Sequence, residues 1–233
     1  MKSIIRIFLK SALWLFLFSI LGVSYYGFVP VPLTPLMLIR CVENIAEGKM
    51  PKLDYRWRSM SAINEDLALA SVCSEDQNFI EHQGFDIEAI KKAIESNKKR
   101  KKKGKPVRGA STISQQTAKN VFLFPQRSFV RKGFEVFYTF AIEILWTKER
   151  ILEVYLNVIE MGDGIYGAQA ASQNFFHKNA SDISAAEAAT IAACYPNPRK
   201  WCAGKPDGYV IKRRNWILRQ MAHWGGELEF QKE

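Results

Sequence analysis

The sequence predicts a mainly α-helical protein that carries one membrane-spanning helix at its amino terminus. Apolar residues recur at spacings of three and four along most of the 233-residue chain, and no stretch alternates with period two for long, so strands should be few. No charged residue occurs from Ser11 to Ile39, and Ala12 to Val29 is almost wholly apolar. That length is close to the roughly 20 residues that a membrane-spanning helix needs.

The residues around the apolar segment indicate how it is oriented. Lys2, Arg6 and Lys10 precede it without an acidic residue, which places the amino terminus in the cytoplasm and the rest of the chain outside. A cleaved signal peptide is the rival interpretation, but Val23–Phe28 offers a poor small-x-small cleavage site, so an uncleaved anchor is favoured. The predicted segments are a cytoplasmic basic tail (1–10), a transmembrane anchor (11–29), a linker and membrane-proximal segment (30–60) and a catalytic domain (61–233).

The net charge of +10 predicts an anionic partner: nucleic acid, an anionic membrane surface or a phosphorylated substrate. A domain outside the cytoplasm argues against nucleic acid. The four cysteines form no CxxC and the three histidines are scattered, which argues against zinc. Cys194 and Cys202 could form a disulfide in that compartment, or both could be reduced and buried.

The remaining helices are predicted from capping residues and apolar stripes. After a stiff proline-rich exit from the membrane, a helix is expected from Ser61 to about Cys73, and another from Ile87 to about Asn97. Five further residues have the sequence context of helix caps: Asp86, Thr112, Ser128, Thr147 and Asp207. Ser184 with Glu187 has the spacing of a capping box, as Thr112 has with Gln115.

Two segments between these helices have a more ambiguous role. Lys98–Pro106 carries so many like charges that we expect a mobile loop, which could touch lipid phosphates or simply be solvated. In the helix after Ser128 an apolar stripe is predicted, formed by Val130, Phe134, Phe137, Ala141, Ile144 and Leu145. Arg131 and Glu135 lie off this stripe as an i,i+4 pair, which in the plainest interpretation is a surface salt bridge of little energetic value.

The stretch Ser74–Asp86 is the first candidate functional motif. Glu75 lies where a buried helical pattern ends, and a carboxyl group in such a place can be desolvated so that its pKa rises. We therefore interpret Glu75 as a catalytic carboxylate. The alternative is that Glu75 and Asp76 form a solvated helix end.

The stretch Gly109–Asn120 is the second candidate. A helix is expected to begin after Thr112, and one face of it would carry the side chains of Thr112, Gln115, Gln116 and Lys119. This face is rich in amides and has a single cation, whereas solvated faces usually carry Glu–Lys pairs. A ligand-facing surface is therefore favoured over a solvent-facing one.

In this order the motifs resemble those of the peptidoglycan glycosyltransferases, glycosyltransferase family 51, and most closely its monofunctional members. The matching stretches are Glu75-Asp76-x-x-Phe79-x-x-His82-x-Gly84, Gly109-Ala110-Ser111-Thr112-Ile113-x-Gln115-Gln116-x-x-Lys119-Asn120, Arg131-Lys132-x-x-Glu135 and Lys148-x-x-Ile151-Leu152-Glu153-x-Tyr155-Leu156-Asn157. Four motifs in the order that this family has them, behind a membrane anchor, make the resemblance highly specific. About 76 residues follow the last of them, too few for a transpeptidase domain.

The resemblance implies a lysozyme-like large lobe and a small membrane-associated jaw lobe with a cleft between them. The basic loop, about 98–108, would belong to the jaw. The implied location is the bacterial inner membrane, with the catalytic domain in the periplasm. The implied partners are lipid II, the growing lipid-linked glycan strand, the membrane and other cell-wall synthesis or division proteins.

The resemblance also implies a reaction. The 4-hydroxyl of the acceptor attacks the anomeric carbon of the donor, configuration inverts to give a β-1,4 glycan, and undecaprenyl pyrophosphate leaves. Such a transfer needs a base on the attacking side and positive charge at the leaving group. Glu75 would be the base, and Glu135 a second catalytic carboxylate near the pyrophosphate that orients a cation or binds a divalent metal ion, Mg²⁺ or Mn²⁺.

The other implied site residues bind substrate. Lys119 and Arg127 would contact phosphate, and Ser111, Gln115 and Gln116 would hold the donor. Asp76 would orient the surroundings of Glu75, and Asn120 completes the expected set. Two other classes stay open: a lysozyme-like hydrolase or lytic enzyme, which would shorten glycan, and a catalytically silent scaffold, which would function without Glu75.

Overall fold

The computed structural model describes residues 2–104, 107, 109–126, 128–225, 228 and 230, and this part of the chain is mainly helical, as predicted. The helices are α1 (Lys2–Tyr26), α2 (Pro35–Ala46), α3 (Glu65–Glu75), α4 (Ile87–Lys102), α5 (Ile113–Phe122), α6 (Phe129–Leu145), α7 (Lys148–Val158), α8 (Gly167–Phe176), α9 (Ala185–Cys194) and α10 (Gly208–Trp224). The short strands β1 (Asp54–Tyr55), β2 (Glu160–Gly162) and β3 (Ile165–Tyr166) form one sheet in the order β1-β3-β2. β1 is parallel and β2 antiparallel to β3.

Helix α1 is the one described helix that is long and apolar enough to cross a membrane. It already begins at Lys2, so the residues predicted as a basic tail extend the same helix. Its last turns are part of the folded body. Trp146 donates its indole N–H to the carbonyl oxygen of Val23 at 2.8 Å, and Arg150 Nη2 donates to that of Tyr26 at 2.9 Å.

Helix α3 is the centre of the core, because every residue from Leu67 to Cys73 is buried. It packs on α9 and α10. Its cap is Asn64 and not Ser61, which lies in a 3₁₀ turn (Met60–Ala62). The Asn64 side chain accepts from the N–H of Asp66 at 2.8 Å, and its backbone N–H donates to Ala180, so a tertiary contact decides where the helix begins.

Helix α4 begins after Asp86, as predicted, but continues to Lys102 instead of ending near Asn97. The prediction of a loop from Lys98 was therefore wrong for residues 98–102. Cations in the last turn of a helix are favoured by its macrodipole, and the exposure of these side chains weakens their mutual repulsion. Of the rest of the predicted loop, Lys105, Pro106 and Arg108 lie outside the described residues.

The predicted caps at Thr112, Ser128, Thr147, Ser184 and Asp207 are confirmed, two of them as full capping boxes. The turn before α8 requires a glycine. Gly167, the first residue of α8, has a φ of +78°, and a Cβ there would lie 2.2 Å from the carbonyl oxygen of Asn157. All four cysteines are free thiols: Cys194 is buried and Cys202 is exposed.

Helix α6 has its polar side inward. Glu135, Thr139, Ala141 and Ile142 are its buried residues; Glu135, Thr139 and Ile142 share one face, whereas Ala141 is a buried member of the predicted stripe. Most of the predicted apolar stripe is exposed instead: Val130 (72 %), Phe134 (55 %) and Ile144 (63 %), among others. The stripe was therefore correctly located but does not face the core, and α6 presents an outer surface of bare apolar side chains.

Candidate active site

Glu75 is the last residue of α3, and its side chain is only 18 % exposed. Its Oε1 accepts hydrogen bonds from Arg213 Nη2 and from the hydroxyl of Ser74, both at 3.2 Å. Its Oε2 accepts from Nε2 of Gln116, also at 3.2 Å. Three donors from three places in the chain hold the carboxylate, so the solvated helix end that the sequence left open is excluded.

Burial raises the pKa of Glu75, and this is the largest influence on the group. The charge of Arg213 and the hydrogen bonds from Gln116 and Ser74 lower the pKa, while the neighbouring charge of Asp76 raises it further. A carboxylate whose basicity is increased by desolvation but which is still held by donors has the properties of a general base.

Asp76 is buried, and its carboxylate is occupied by donors of the protein. Its side chain is 2 % exposed, and its oxygens accept from His82 Nε2 at 2.9 Å and from the N–H of Ile113 at 2.9 Å. His82 Nδ1 accepts from the N–H of Gly84 at 3.1 Å, which fixes the tautomer with the proton on Nε2. Asp76 thus ties the end of α3 to the first turn of α5.

A second buried network supports the same loop. Lys148 Nζ donates to the carbonyl oxygen of His82 at 2.5 Å and to Oε1 of Glu143 at 2.9 Å. Ser114 donates its hydroxyl to the same Glu143 oxygen. The network joins α5, α6 and α7 beneath the first motif.

A cationic cluster surrounds Glu135, whose side chain is 4 % exposed. Arg131 Nη1 lies 2.6 Å from one carboxylate oxygen, and Lys132 Nζ contacts the other. Burial lowers the pKa of Lys119, Glu135 and Glu75 raise it, and Arg131 and Lys132 lower it. The pair at Glu135 is therefore not a surface salt bridge, and three cations meet one carboxylate.

This cationic cluster contains hydrogen-bond donors that have no acceptor in the described part of the chain. Within the described residues the ammonium group of Lys119 makes no hydrogen bond, and Nε of Arg131 is buried without a partner. Unsatisfied buried donors are costly unless a ligand completes them. With a net charge of +2 from three cations and one carboxylate, the cluster suits an anionic group that carries several acceptor oxygens.

The donor set of this cluster does not fit a divalent metal ion held by the protein. Both oxygens of Glu135 are engaged by cations. Among the described residues no group of three His, Cys, Asp or Glu side chains is close enough to share an ion. Mg²⁺ is usually bound through one or two carboxylates together with water and substrate phosphates, and here both oxygens of the one carboxylate are already neutralised by Arg131 and Lys132.

The predicted amide face of α5 divides in two. Gln116 is partly exposed and contacts Glu75, and Lys119 follows one turn later. Gln115 is 4 % exposed, and its side-chain oxygen accepts from the N–H of Thr112 in the capping box. Ser111 is exposed and Asn120 is buried; Arg127 lies outside the described residues.

Arg213 is the contact that the sequence did not indicate. It lies on α10, 138 residues after Glu75, and outside every motif described above. A basic residue on an ordinary helix carries no signal of its own, so only the packing of α10 on α3 reveals it.

Comparison with known proteins supports one assignment. The family model described as transglycosylase matches residues 43–222. A protein of Bacteroides thetaiotaomicron named biosynthetic peptidoglycan transglycosylase is 51 % identical over 220 residues, covering 94 % of this chain and 87 % of its own length. Proteins of the same name from Pseudomonas syringae (46 %, 97 % and 94 % coverage) and Bdellovibrio bacteriovorus (48 %, 94 % and 86 %) are similar.

Proposed function

The chain belongs to the transglycosylase family and is a peptidoglycan glycosyltransferase of cell-wall synthesis, and we propose that it polymerises lipid II. In this reaction the acceptor 4-hydroxyl attacks the anomeric carbon of the lipid-linked donor, a β-1,4 bond forms with inversion, and undecaprenyl pyrophosphate leaves. Such a transfer needs a base and, on the other side of the sugar, a site for a leaving group of concentrated negative charge.

One observation carries the proposal: α5 joins a desolvated carboxylate to a cationic cluster. Gln116 contacts Glu75, and Lys119, three residues further, is electrostatically coupled to Glu135. Three residues of helix rise about 4.5 Å, which is the scale of one sugar ring. A donor that lies along this turn has the base at one end and the cations at the other.

Each group then has one role. Glu75 takes the proton of the acceptor hydroxyl, and Gln116 with Ser111 orients the sugars. Lys119 and Arg131 meet the pyrophosphate, as would Arg127. Since the burial that lowers the pKa of Lys119 is a desolvation of its charge, an arriving polyanion restores favourable interactions to that charge.

Glu135 acts by holding Arg131 and Lys132 in place for the leaving group. A Mg²⁺ or Mn²⁺ ion at this carboxylate would have to displace one of the two cations. The geometry therefore favours cationic side chains over a metal held by the protein.

The single anchor and the outer face of α6 support a lipid-linked substrate. In the proposed topology the amino terminus is cytoplasmic, the catalytic domain is periplasmic, and the exposed apolar residues of α6 enter the outer leaflet. Phe129 (98 % exposed), Val130 and Phe134 have no other role in the fold. We also propose that other cell-wall synthesis or division proteins act with this enzyme, and co-purification from membranes tests this.

The test of the reaction is polymerisation of labelled lipid II by the detergent-solubilised chain, with Glu75→Gln compared with wild type. We expect lysozyme-sensitive polymer from wild type only. Glu81→Gln is the matched control, because Glu81 is an exposed carboxylate in the same loop and should be fully active. Full activity of Glu75→Gln would refute the base assignment, and shortening of preformed glycan by wild type would favour a hydrolase.

A further inference from the structure

The guanidinium of Arg213 reaches from α10 to the end of α3. Its Nη2 lies 2.9 Å from the hydroxyl of Ser74, 3.4 Å from the carbonyl oxygen of the same residue and 3.2 Å from Oε1 of Glu75. Its side chain is 16 % exposed, and within the described residues Nε is buried without a partner. Arg213 is thus held mainly by the two residues that it contacts.

The two oxygens of Glu75 are not equivalent. Oε1 receives both Arg213 and the hydroxyl of Ser74, whereas in the described part of the chain Oε2 receives only the side-chain amide of Gln116. Gln116 is partly exposed on the ligand-facing turn of α5. Oε2 is therefore the oxygen with a free lone pair near the place where substrate is proposed to lie.

We propose that Arg213 is a positioning residue of the transfer reaction, which anchors Oε1 of Glu75 so that Oε2 takes the proton of the acceptor hydroxyl. The inference rests on the proposed role of Glu75 as the base. The acceptor oxygen keeps the electron pair of the broken O–H bond and forms the new bond to the anomeric carbon. The old carbon–oxygen bond breaks toward the pyrophosphate, which leaves with that electron pair.

The charged and titratable groups near Glu75 determine how strongly Arg213 affects the pKa of this carboxylate. Arg213 from α10 lowers the pKa of Glu75 against the effect of burial, and it is the one cation in the described part of the chain that forms an ion pair with this carboxylate. Asp76 at the end of α3 raises the pKa, and Lys119 of α5 is attracted to Glu75. The hydroxyls of Tyr155 and Tyr195 also face the carboxylate and stay neutral, because burial raises their pKa.

The sign of the effect follows. Without Arg213 the pKa of Glu75 should rise, so at a given acidic or neutral pH a smaller fraction of the base is ionised. At a pH below the pKa, each unit by which the pKa of Glu75 rises lowers the ionised fraction of the carboxyl group about tenfold. At a pH well above the pKa the ionised fraction does not change, so the rate should not change either. The acidic limb of the pH–rate profile should therefore move to higher pH.

The experiment measures kcat and KM for lipid II across pH with Arg213→Gln, Arg213→Lys and the control Arg214→Gln. Arg214→Gln removes the same charge at the neighbouring position, where among the described residues the guanidinium donates hydrogen bonds only to Asn215. We expect Arg213→Gln to lose about tenfold or more in kcat at neutral pH, with KM little changed and activity recovering at alkaline pH. Arg213→Lys should shift less, and the control should overlay wild type.

The outcomes separate the two proposals. If Glu75→Gln is inactive but the acidic limb of Arg213→Gln overlays that of wild type, the positioning role is wrong and the base assignment stands. If Glu75→Gln is active, the proposed function fails first. If Arg213→Gln does not fold, as judged by thermal unfolding, Arg213→Lys decides, because an unshifted profile with full kcat would refute the need for the Nη2 contacts of the arginine.

Discussion

Asp76 should stabilise the active-site loop rather than bind substrate, and Asp76→Asn separates these roles. The carboxylate accepts from two buried donors, His82 Nε2 and the N–H of Ile113. Oδ2 lies near both donors, 2.9 Å from the backbone nitrogen of Ile113 and 3.0 Å from His82 Nε2, whereas among the described residues Oδ1 contacts His82 alone. An asparagine with its carbonyl oxygen in the place of Oδ2 turns its NH₂ group against the His82 donor, and the opposite orientation turns it against the N–H of Ile113. His82 cannot adapt by moving its proton to Nδ1, because Nδ1 already accepts from the N–H of Gly84.

The expected cost follows from this count. A buried donor without a partner costs about 1–3 kcal/mol, so Asp76→Asn, which leaves one, should lose about 1–3 kcal/mol. Asp76→Ala leaves both donors unpaired and should lose about 2–6 kcal/mol. For a chain of this size the asparagine variant should melt about 2–12 °C lower than wild type.

Thermal unfolding of the detergent-solubilised chain measures the loss, and polymerisation kinetics on the folded variant measure its effect on substrate. We expect kcat to fall while KM for lipid II stays within about twofold, since Asp76 positions the end of α3 and its side chain is 2 % exposed. Glu81→Gln controls for the loss of charge at an exposed site. An unchanged melting temperature with a raised KM would refute the reasoning and return Asp76 to the substrate-binding residues.

The cationic cluster and the glycine turn give two further predictions. Lys119→Met should lower kcat/KM for lipid II by about 10²–10³, while thermal stability stays equal or rises because a desolvated charge is removed; an active variant would exclude Lys119 from the pyrophosphate site. Gly84→Ala should lose about 2–4 kcal/mol in urea unfolding, because φ is +84° and the new Cβ would lie 2.9 Å from Cγ2 of Thr139. Gly48→Ala, with φ +70° and open space around it, should lose only about 1 kcal/mol, and equal losses would contradict the steric argument.

Local signals in the sequence predicted where most helices begin. Thr112 and Ser184 were recognisable because a capping box lies within four consecutive residues and needs no tertiary partner. The cap of α3 was missed because Asn64 is fixed by a contact with Ala180, far along the chain. The end of α4 was missed because charge repulsion was weighed without the compensating effect of the helix dipole.

The candidate site shows the same division. Glu75 could be predicted from its position at the end of a buried helical pattern, and the structure agrees that it is desolvated. The role of Gln115 in a cap was predicted from the capping-box spacing, whereas the inward-facing side of α6 could not be read from periodicity, because a stripe does not state which side meets solvent. Arg213 reaches Glu75 only through the packing of α10 on α3.

The contact between the end of α1 and Trp146 has a practical consequence. A chain shortened to begin after α1 would lose the carbonyl partner of Trp146 and one of the two described carbonyl partners of Arg150, since Val29 follows α1. It would also uncover the stacked rings of Phe122 and Tyr138, whose centroids are 4.6 Å apart, because Tyr26 and Ser19 of α1 contact them. Versions without α1, made for crystallisation or inhibitor screening, would therefore differ from the native enzyme in stability and in their tendency to aggregate. Inhibitors are best ranked on the intact chain in a bilayer.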